Sequence, residues 1–309
     1  MEDESIDPVV LEALEWFVRM RDDKTTAEDR RSFEAWLAED PAHAAALAHA
    51  ETLWQRLDIV KPELERLRRS QSVFSRRNVI LGSAAVLIGT SAIYLRSRDD
   101  LFADHTTDVG ERRTISLEDG SSVELGSYSA LSVDFVPTHR RVRLHRGQAF
   151  FETVADTARP FLVDAANGTM QALGTRFDVK FVDDLVTVVV SEHAVLVRGA
   201  FPAVTVEQGW QVSFGKGGDA ALTRANLATA EAWRRDQIIF QDMPLRLVLA
   251  EIERYRRGRI VLMDDSLGAI PVTAIFSAKQ PENALQALTD MLPIRLFRAG
   301  PLLTIVYST

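Results

Sequence analysis

A threonine directly after a glycine, as at Gly174-Thr175, has the parts for a reaction of the backbone itself. The hydroxyl can attack the preceding carbonyl and turn the amide into an ester by an N-to-O shift, after which water splits the ester. Glycine helps because it tolerates unusual backbone geometry and shields its carbonyl least. The dipeptide has no specificity alone: Gly174 can equally make a turn and Thr175 begin a strand. Other chemistry is sparse. With no cysteine the chain lacks a thiol nucleophile, a disulfide and a zinc–thiolate site. Its six histidines are scattered, without a His-x-x-x-His pair or a metal-site carboxylate arrangement. No nucleophile–base–acid set and no Gly-rich phosphate loop stand out. The expectation is no cofactor, no metal and no enzyme acting on an external substrate, with self-cleavage at Gly174-Thr175 as the exception.

A second group of residues has binding rather than bond-making character. Three of the five tryptophans, Trp16, Trp36 and Trp54, fall within about 60 residues near the N-terminus. Three helices can be read there. Val10, Leu14, Phe17 and Val18 recur at helical spacing, widened by Trp16 and Met20. Thr26 with Asp29 is close to a capping box before Phe33, Trp36 and Leu37. Asp40-Pro41 offers an N-cap and a proline at the first helical position, before Ala44, Leu47, Ala48, Leu53, Trp54 and Leu57. So small a bundle has a marginal core. Its tryptophans either fill that core or leave apolar surface for a partner, since tryptophan is a common interface anchor.

What carries these groups is a chain of 309 residues, long enough for two or three domains, with 46% apolar and 26% charged residues. The net charge of −8 argues against a direct nucleic-acid binder. Residues 1–77 hold 17 acidic and 12 basic residues, a net charge of −5, as an acidic module covering a basic partner would. Asn78–Leu95 is uncharged over 18 residues and follows Arg76-Arg77. That predicts one transmembrane helix, short but within the tolerated length. The excess of arginine before it orients the N-terminus to the cytoplasm; Ser75-Arg76-Arg77 can also be read as a twin-arginine export signal. The expected localisation is the inner membrane, single-pass, with the C-terminus periplasmic.

After Asp99, runs rich in Val, Leu, Phe and Thr alternate with polar residues between the turn signals Asp119-Gly120, Arg146-Gly147, Asn167-Gly168 and Gly217-Gly218. The spacing predicts strands at 113–117, 122–125, 131–135, 141–144, 149–153, 161–164, 170–173, 177–181, 186–190, 194–197 and 211–214, an all-β region over 105–215. A linker over 216–236 leads to an α+β module over 237–309. There one helix should bury Leu245, Val248, Leu249 and Ile252, and a second Ala284, Leu285, Leu288 and Met291. An open edge strand there could take a partner by strand addition.

The N-terminal run Glu15-Trp16-Phe17-Val18-Arg19, Phe33-Glu34-Ala35-Trp36-Leu37, Asp40-Pro41-Ala42-His43-Ala44-Ala45 and Leu53-Trp54 resembles the N-terminal domain of FecR-type anti-sigma regulators. The blocks Gly110–Thr114, Leu117–Ser121, Arg140-Arg141-Val142, Gly147–Phe151, Arg159-Pro160-Phe161 and Leu173-Gly174-Thr175-Arg176-Phe177 are similar, in order, to the FecR domain. Two departures are Gln148, where the family more often has an acid, and Ser191-Glu192-His193, where a glycine usually follows the acid. Gln237–Phe240, Met243-Pro244-Leu245 and Arg254-Tyr255 resemble the small signalling domain shared by secretins, TonB-dependent transducers and FecR tails. The fold expected is therefore a small all-α N-terminal bundle (1–77), one transmembrane helix (78–95), an all-β FecR domain (105–215) and a C-terminal α+β domain. The resemblance implies binding of an extracytoplasmic-function sigma factor through Trp16, Phe17, Phe33, Trp36, Leu37 and Trp54. It also implies a signal from a TonB-dependent outer-membrane receptor, release by periplasmic and intramembrane proteases, and control of iron–siderophore uptake genes. Some relatives self-cleave at a Gly-Thr of this kind. A structural envelope scaffold is the other reading; it explains the outer region but not the tryptophan-rich head.

Overall fold

The structure is a computed structural model that describes residues 8–20, 25–56, 103–215, 217–299 and 303–309. They form two compact units. One joins the N-terminal helices to Gln241–Thr273 and Pro281–Thr309; the other holds the β region through Phe240, with Ala274–Gln280.

The β unit is organised by one long strand, β5 (His139–Glu152). Its first half pairs with β4 (Ala130–Val136) and, in parallel, with β6 (Phe161–Ala165); its second half pairs with β3 (Ser122–Leu125) and β8 (Arg176–Val182). The strand passes from one layer to the other at Gly147. There φ is +90° and a Cβ would lie 2.6 Å from the Ser129 Cα, so only glycine fits. The Arg146-Gly147 signal, expected to be a turn between two strands, is thus a corner inside one continuous strand. Outward from β5 the first layer continues through β6, β7 (Gly168–Ala172), β10 (Ala194–Arg198) and β11 (Val204–Glu207). The second runs through β8, β9 (Leu185–Glu192), β12 (Trp210–Phe214) and β13 (Ala220–Arg224). Thirteen strands share this sheet, which also includes β1 (His105–Thr106) and β2 (Arg113–Ser116). Strict burial alternation on β6 and β7 marks one face as core. Phe151 lies between Phe161 and Phe177, at 6.1 and 5.1 Å between ring centroids. All three are fully buried.

The other unit holds α1 (Pro8–Arg19), α2 (Ala27–Glu39) and α3 (Pro41–Arg56). It also holds a three-stranded sheet ordered β15 (Arg259–Leu262), β18 (Leu303–Ser308), β17 (Ile294–Ala299). The Thr26–Asp29 capping box forms in full, Thr26 N–H donating to Asp29 at 2.9 Å and Asp29 N–H to Thr26 Oγ1 at 3.1 Å. Helix Leu245–Glu253 buries Leu245, Val248, Leu249 and Ile252. Helix Pro281–Met291 buries Ala284, Leu285 and Leu288, but Met291, expected in that stripe, is 52% exposed because the helix ends there. Strand β14 (Gln237–Pro244) pairs with β16 (Pro271–Ser277).

Two expectations are overturned. Strand is the commonest secondary structure among the described residues, and the three N-terminal helices are not a free-standing all-α bundle. Ala13, Trp36, Ala46 and Ala50 share a single buried cluster with Leu303 and Ile305 of β18, against which Val261, Met263 and Phe297 also pack. Three short helices with alanine at these central positions present too little apolar volume to close a core alone, and the sheet completes it. The expected transmembrane helix, Asn78–Leu95, lies outside the described residues. Among the described residues no helix is long and apolar enough to cross a membrane; α3 has 16 residues against the ~20 required. The single-pass inner-membrane topology is therefore not supported.

Candidate functional site

Gly174 and Thr175 connect β7, in one layer of the β unit, to β8, in the other. Gly174 has φ +85°, and a Cβ placed on it would stand 2.8 Å from the Ala155 Cβ and 3.1 Å from the Ala155 Cα. Glycine is therefore required twice, by backbone conformation and by the close approach of the 153–155 segment. Thr175 is 3% exposed, and its Oγ1 is buried without a hydrogen-bond partner. Its backbone is fixed. Thr175 N–H donates to Thr153 Oγ1 at 2.9 Å, and Thr175 C=O accepts from Thr153 N–H at 3.0 Å and from the Thr153 hydroxyl at 3.2 Å. A buried hydroxyl with no partner forgoes a hydrogen bond it would make in water, and here it adjoins the carbonyl an N-to-O shift would attack.

The dipeptide lines an open hollow of about 240 Å³ whose wall includes Glu152, Thr153, Arg176 and Glu192. Arg176 bridges the two carboxylates, at 2.8 Å to Glu192 and 3.8 Å to Glu152. The three side chains stand on one rung across β5, β8 and β9. Gly174 and Thr175, whose peptide bond the chemistry would break, both line this hollow.

Below it sits a buried charge network. Arg140, 0% exposed, contacts Asp119 at 2.5 Å and donates to the carbonyls of Val154 and Arg159, both at 2.9 Å. Ser121 hydrogen-bonds Asp119 through both its N–H and its hydroxyl, and accepts from Val154 N–H at 3.0 Å. Burial works against the Asp119 charge, but the hydrogen bonds from Ser121 and Arg140 outweigh it and hold the carboxyl below the usual aspartate range. The network pins the 153–155 segment that presses on Gly174. A second polar cluster ties residue 233 to the sheet: the buried Asp178 carboxylate accepts from Gln148 at 2.8 Å and from the Trp233 indole at 3.0 Å. Gln148 thus takes up its family departure by donating an amide hydrogen where an acid would repel Asp178.

The other expected site residues gather on the N-terminal helices. Trp16, Phe33 and Trp36 form a triangle of rings with centroids 5.8 to 6.4 Å apart. Trp36 stacks on His43 at 4.4 Å and donates its indole N–H to Glu12 at 3.1 Å. Leu37 packs on the same cluster, and Phe17 is buried on α1. Trp54 lies on α3, its side chain outside those described. The triangle is therefore part of the core shared with β18, so these residues serve packing in this arrangement. Among the described residues no group of His, Asp or Glu is arranged to hold a metal ion.

The FecR protein family model matches residues 103–196, from before β1 to the middle of β10. This segment of the chain is of the FecR type. A second family model, a domain of unknown function termed DUF4880, matches residues 12–53, the three helices. Two crystal structures of a candidate anti-sigma factor from Parabacteroides distasonis are similar in fold, at 23% identity. Their TM-scores are 0.59 and 0.60, and each alignment covers 66% of this chain and 98% of the other. No curated protein matches. The FecR match encloses Thr153, Gly174 and Thr175, so the hollow is a feature of the FecR domain itself. Thr153 and the Arg140–Asp119 pair were not singled out from the sequence. Arg140 stood in a family block, but nothing local marks Thr153 as facing residue 175.

Proposed function

We propose that this chain is an anti-sigma regulator whose N-terminal helices bind a sigma factor and whose FecR and C-terminal domains receive the signal that controls it. The observation that carries the reading is the pairing, in one chain, of the FecR domain with an acidic, aromatic-rich three-helix module. An envelope scaffold would have no use for that module. The solved neighbour described as a candidate anti-sigma factor supports the same reading. The likeness of Gln237–Phe240, Met243-Pro244-Leu245 and Arg254-Tyr255 to the small signalling domain supports an input from a TonB-dependent outer-membrane receptor. Control of iron–siderophore uptake genes is the output that the family resemblance implies.

Self-cleavage between Gly174 and Thr175 is the second part of the proposal. It is supported by the buried, unpartnered Thr175 hydroxyl, the positive φ of Gly174 and the water-accessible hollow.

The test is capture from the source lysate with the tagged full-length chain as bait, read by mass spectrometry. A sigma factor in the eluate, lost with Trp16→Ala in a bait of unchanged circular dichroism, is expected. A folded bait that retains no sigma factor refutes the regulatory reading.

A further inference from the structure

The structure points to a residue that the Gly174-Thr175 dipeptide alone does not: we infer that Thr153 is the catalytic partner of the scissile amide, receiving the nitrogen of Thr175 as it becomes an amine. The inference rests on the self-cleavage reading above. Thr153 faces Thr175 across the end of the β5–β8 ladder and holds it by three hydrogen bonds. The Thr153 hydroxyl donates its proton to the Thr175 carbonyl at 3.2 Å, which turns an oxygen lone pair toward the Thr175 N–H at 2.9 Å. A hydroxyl that faced the nitrogen as a donor would instead compete for the lone pair that must accept the incoming proton.

The atom balance gives this acceptor its function. Thr175 Oγ1 forms a bond to the Gly174 carbonyl carbon, the C–N bond breaks, and the Oγ1 proton passes to the nitrogen. The resulting amine takes a further proton from water and becomes an ammonium group, with the Gly174 carbonyl now an ester on Thr175. Water entering from the hollow then hydrolyses the ester to a Gly174 carboxylate and a free Thr175 hydroxyl. Along this path the N–H changes from a neutral amide donor to a cationic one. Its hydrogen bond to Thr153 Oγ1 strengthens accordingly, since charge-assisted hydrogen bonds are roughly twice as strong as neutral ones. An acceptor already aimed at the place where charge develops is electrostatic preorganisation. The same three hydrogen bonds keep the Thr175 backbone in place, so its unpartnered Oγ1 stays beside the Gly174 carbonyl.

The test follows cleavage of the purified full-length chain by intact mass and gel, in wild type, Thr153→Val, Thr153→Ser, Thr175→Ala and Thr175→Ser, with and without hydroxylamine, which cuts esters. Wild type is expected to yield a fragment beginning at Thr175 and Thr175→Ala none. Thr153→Val removes the hydroxyl at nearly constant volume and should slow cleavage about 10- to 100-fold, the loss expected for a hydrogen bond to a charged group. Thr153→Ser should restore the rate to within about threefold, because the acceptor is retained. Hydroxylamine should not rescue Thr153→Val, because the missing step precedes the ester. Cleavage of Thr153→Val at the wild-type rate, or its full rescue by hydroxylamine, overturns the role of Thr153 and leaves self-cleavage standing. If neither wild type nor Thr175→Ser gives a fragment, even with hydroxylamine, self-cleavage is refuted and the role of Thr153 falls with it.

Discussion

Asp119→Ala tests the buried network that shapes the Gly174 turn. Arg140 is 0% exposed, and its side-chain contacts are Asp119 at 2.5 Å, two carbonyls at 2.9 Å each and the Phe161 ring at 5.4 Å. Removing the carboxylate leaves a guanidinium in the interior with neutral acceptors alone. Breaking a buried pair from one side costs about 3–5 kcal/mol. Ser121 loses an acceptor at the same time, which places the expected loss in the upper half of that range. Urea unfolding of the full chain, followed by circular dichroism at 218 nm, reads it as a lower midpoint at unchanged slope. The pH dependence supplies a second readout. Folded Asp119 titrates below its ordinary value of about 3.9, so its contribution is complete above that value and disappears as the pH falls through the folded pKa. The stability gap between wild type and Asp119→Ala should therefore be constant from pH 7 down to about pH 4 and shrink below it. A loss under about 1 kcal/mol, or a gap that does not change in acid, would refute the argument that Asp119 neutralises a fully buried arginine.

Gly174→Ala, made in a Thr175→Ala background so that cleavage cannot intrude, should destabilise the β unit by about 2–4 kcal/mol. About 1–2 kcal/mol of that comes from the left-handed backbone and the rest from moving Ala155 out of contact. A melting temperature within about 1 °C of the parent would show that the turn is not constrained as described. Ile305→Ala should cost about 2–4 kcal/mol and, because Ile305 shares its cluster with Trp36, should change tryptophan emission from the N-terminal helices. Unaltered emission and unaltered helix melting would separate the two.

The local signals in this sequence were strong wherever a short-range rule operates. The Thr26–Asp29 box, the Asn167-Gly168 hairpin and the strand at 122–125 needed only neighbours within a few residues, and each is present in the structure. The amphipathic stripe of Leu245, Val248, Leu249 and Ile252 is buried for the same reason. Arg146-Gly147 was misread because glycine serves a turn and a strand corner alike, and which one occurs depends on Ser129, nearly twenty residues away. The aromatic residues of the head were legible as a group, but not what covers them.

Sequence alone thus determined the nature of the parts: an aromatic helical module, a strand-rich FecR-type domain, a mixed tail and a Gly-Thr dipeptide with latent chemistry. Tertiary structure decided what each part faces. It completed the N-terminal core with Leu303 and Ile305, buried Arg140 on Asp119, and placed Thr153 against the amide of Thr175. Helical and strand periodicities report which face of an element is apolar, and caps and turns report where it ends. Neither encodes which distant residue will meet that face, because that is settled by how the layers pack.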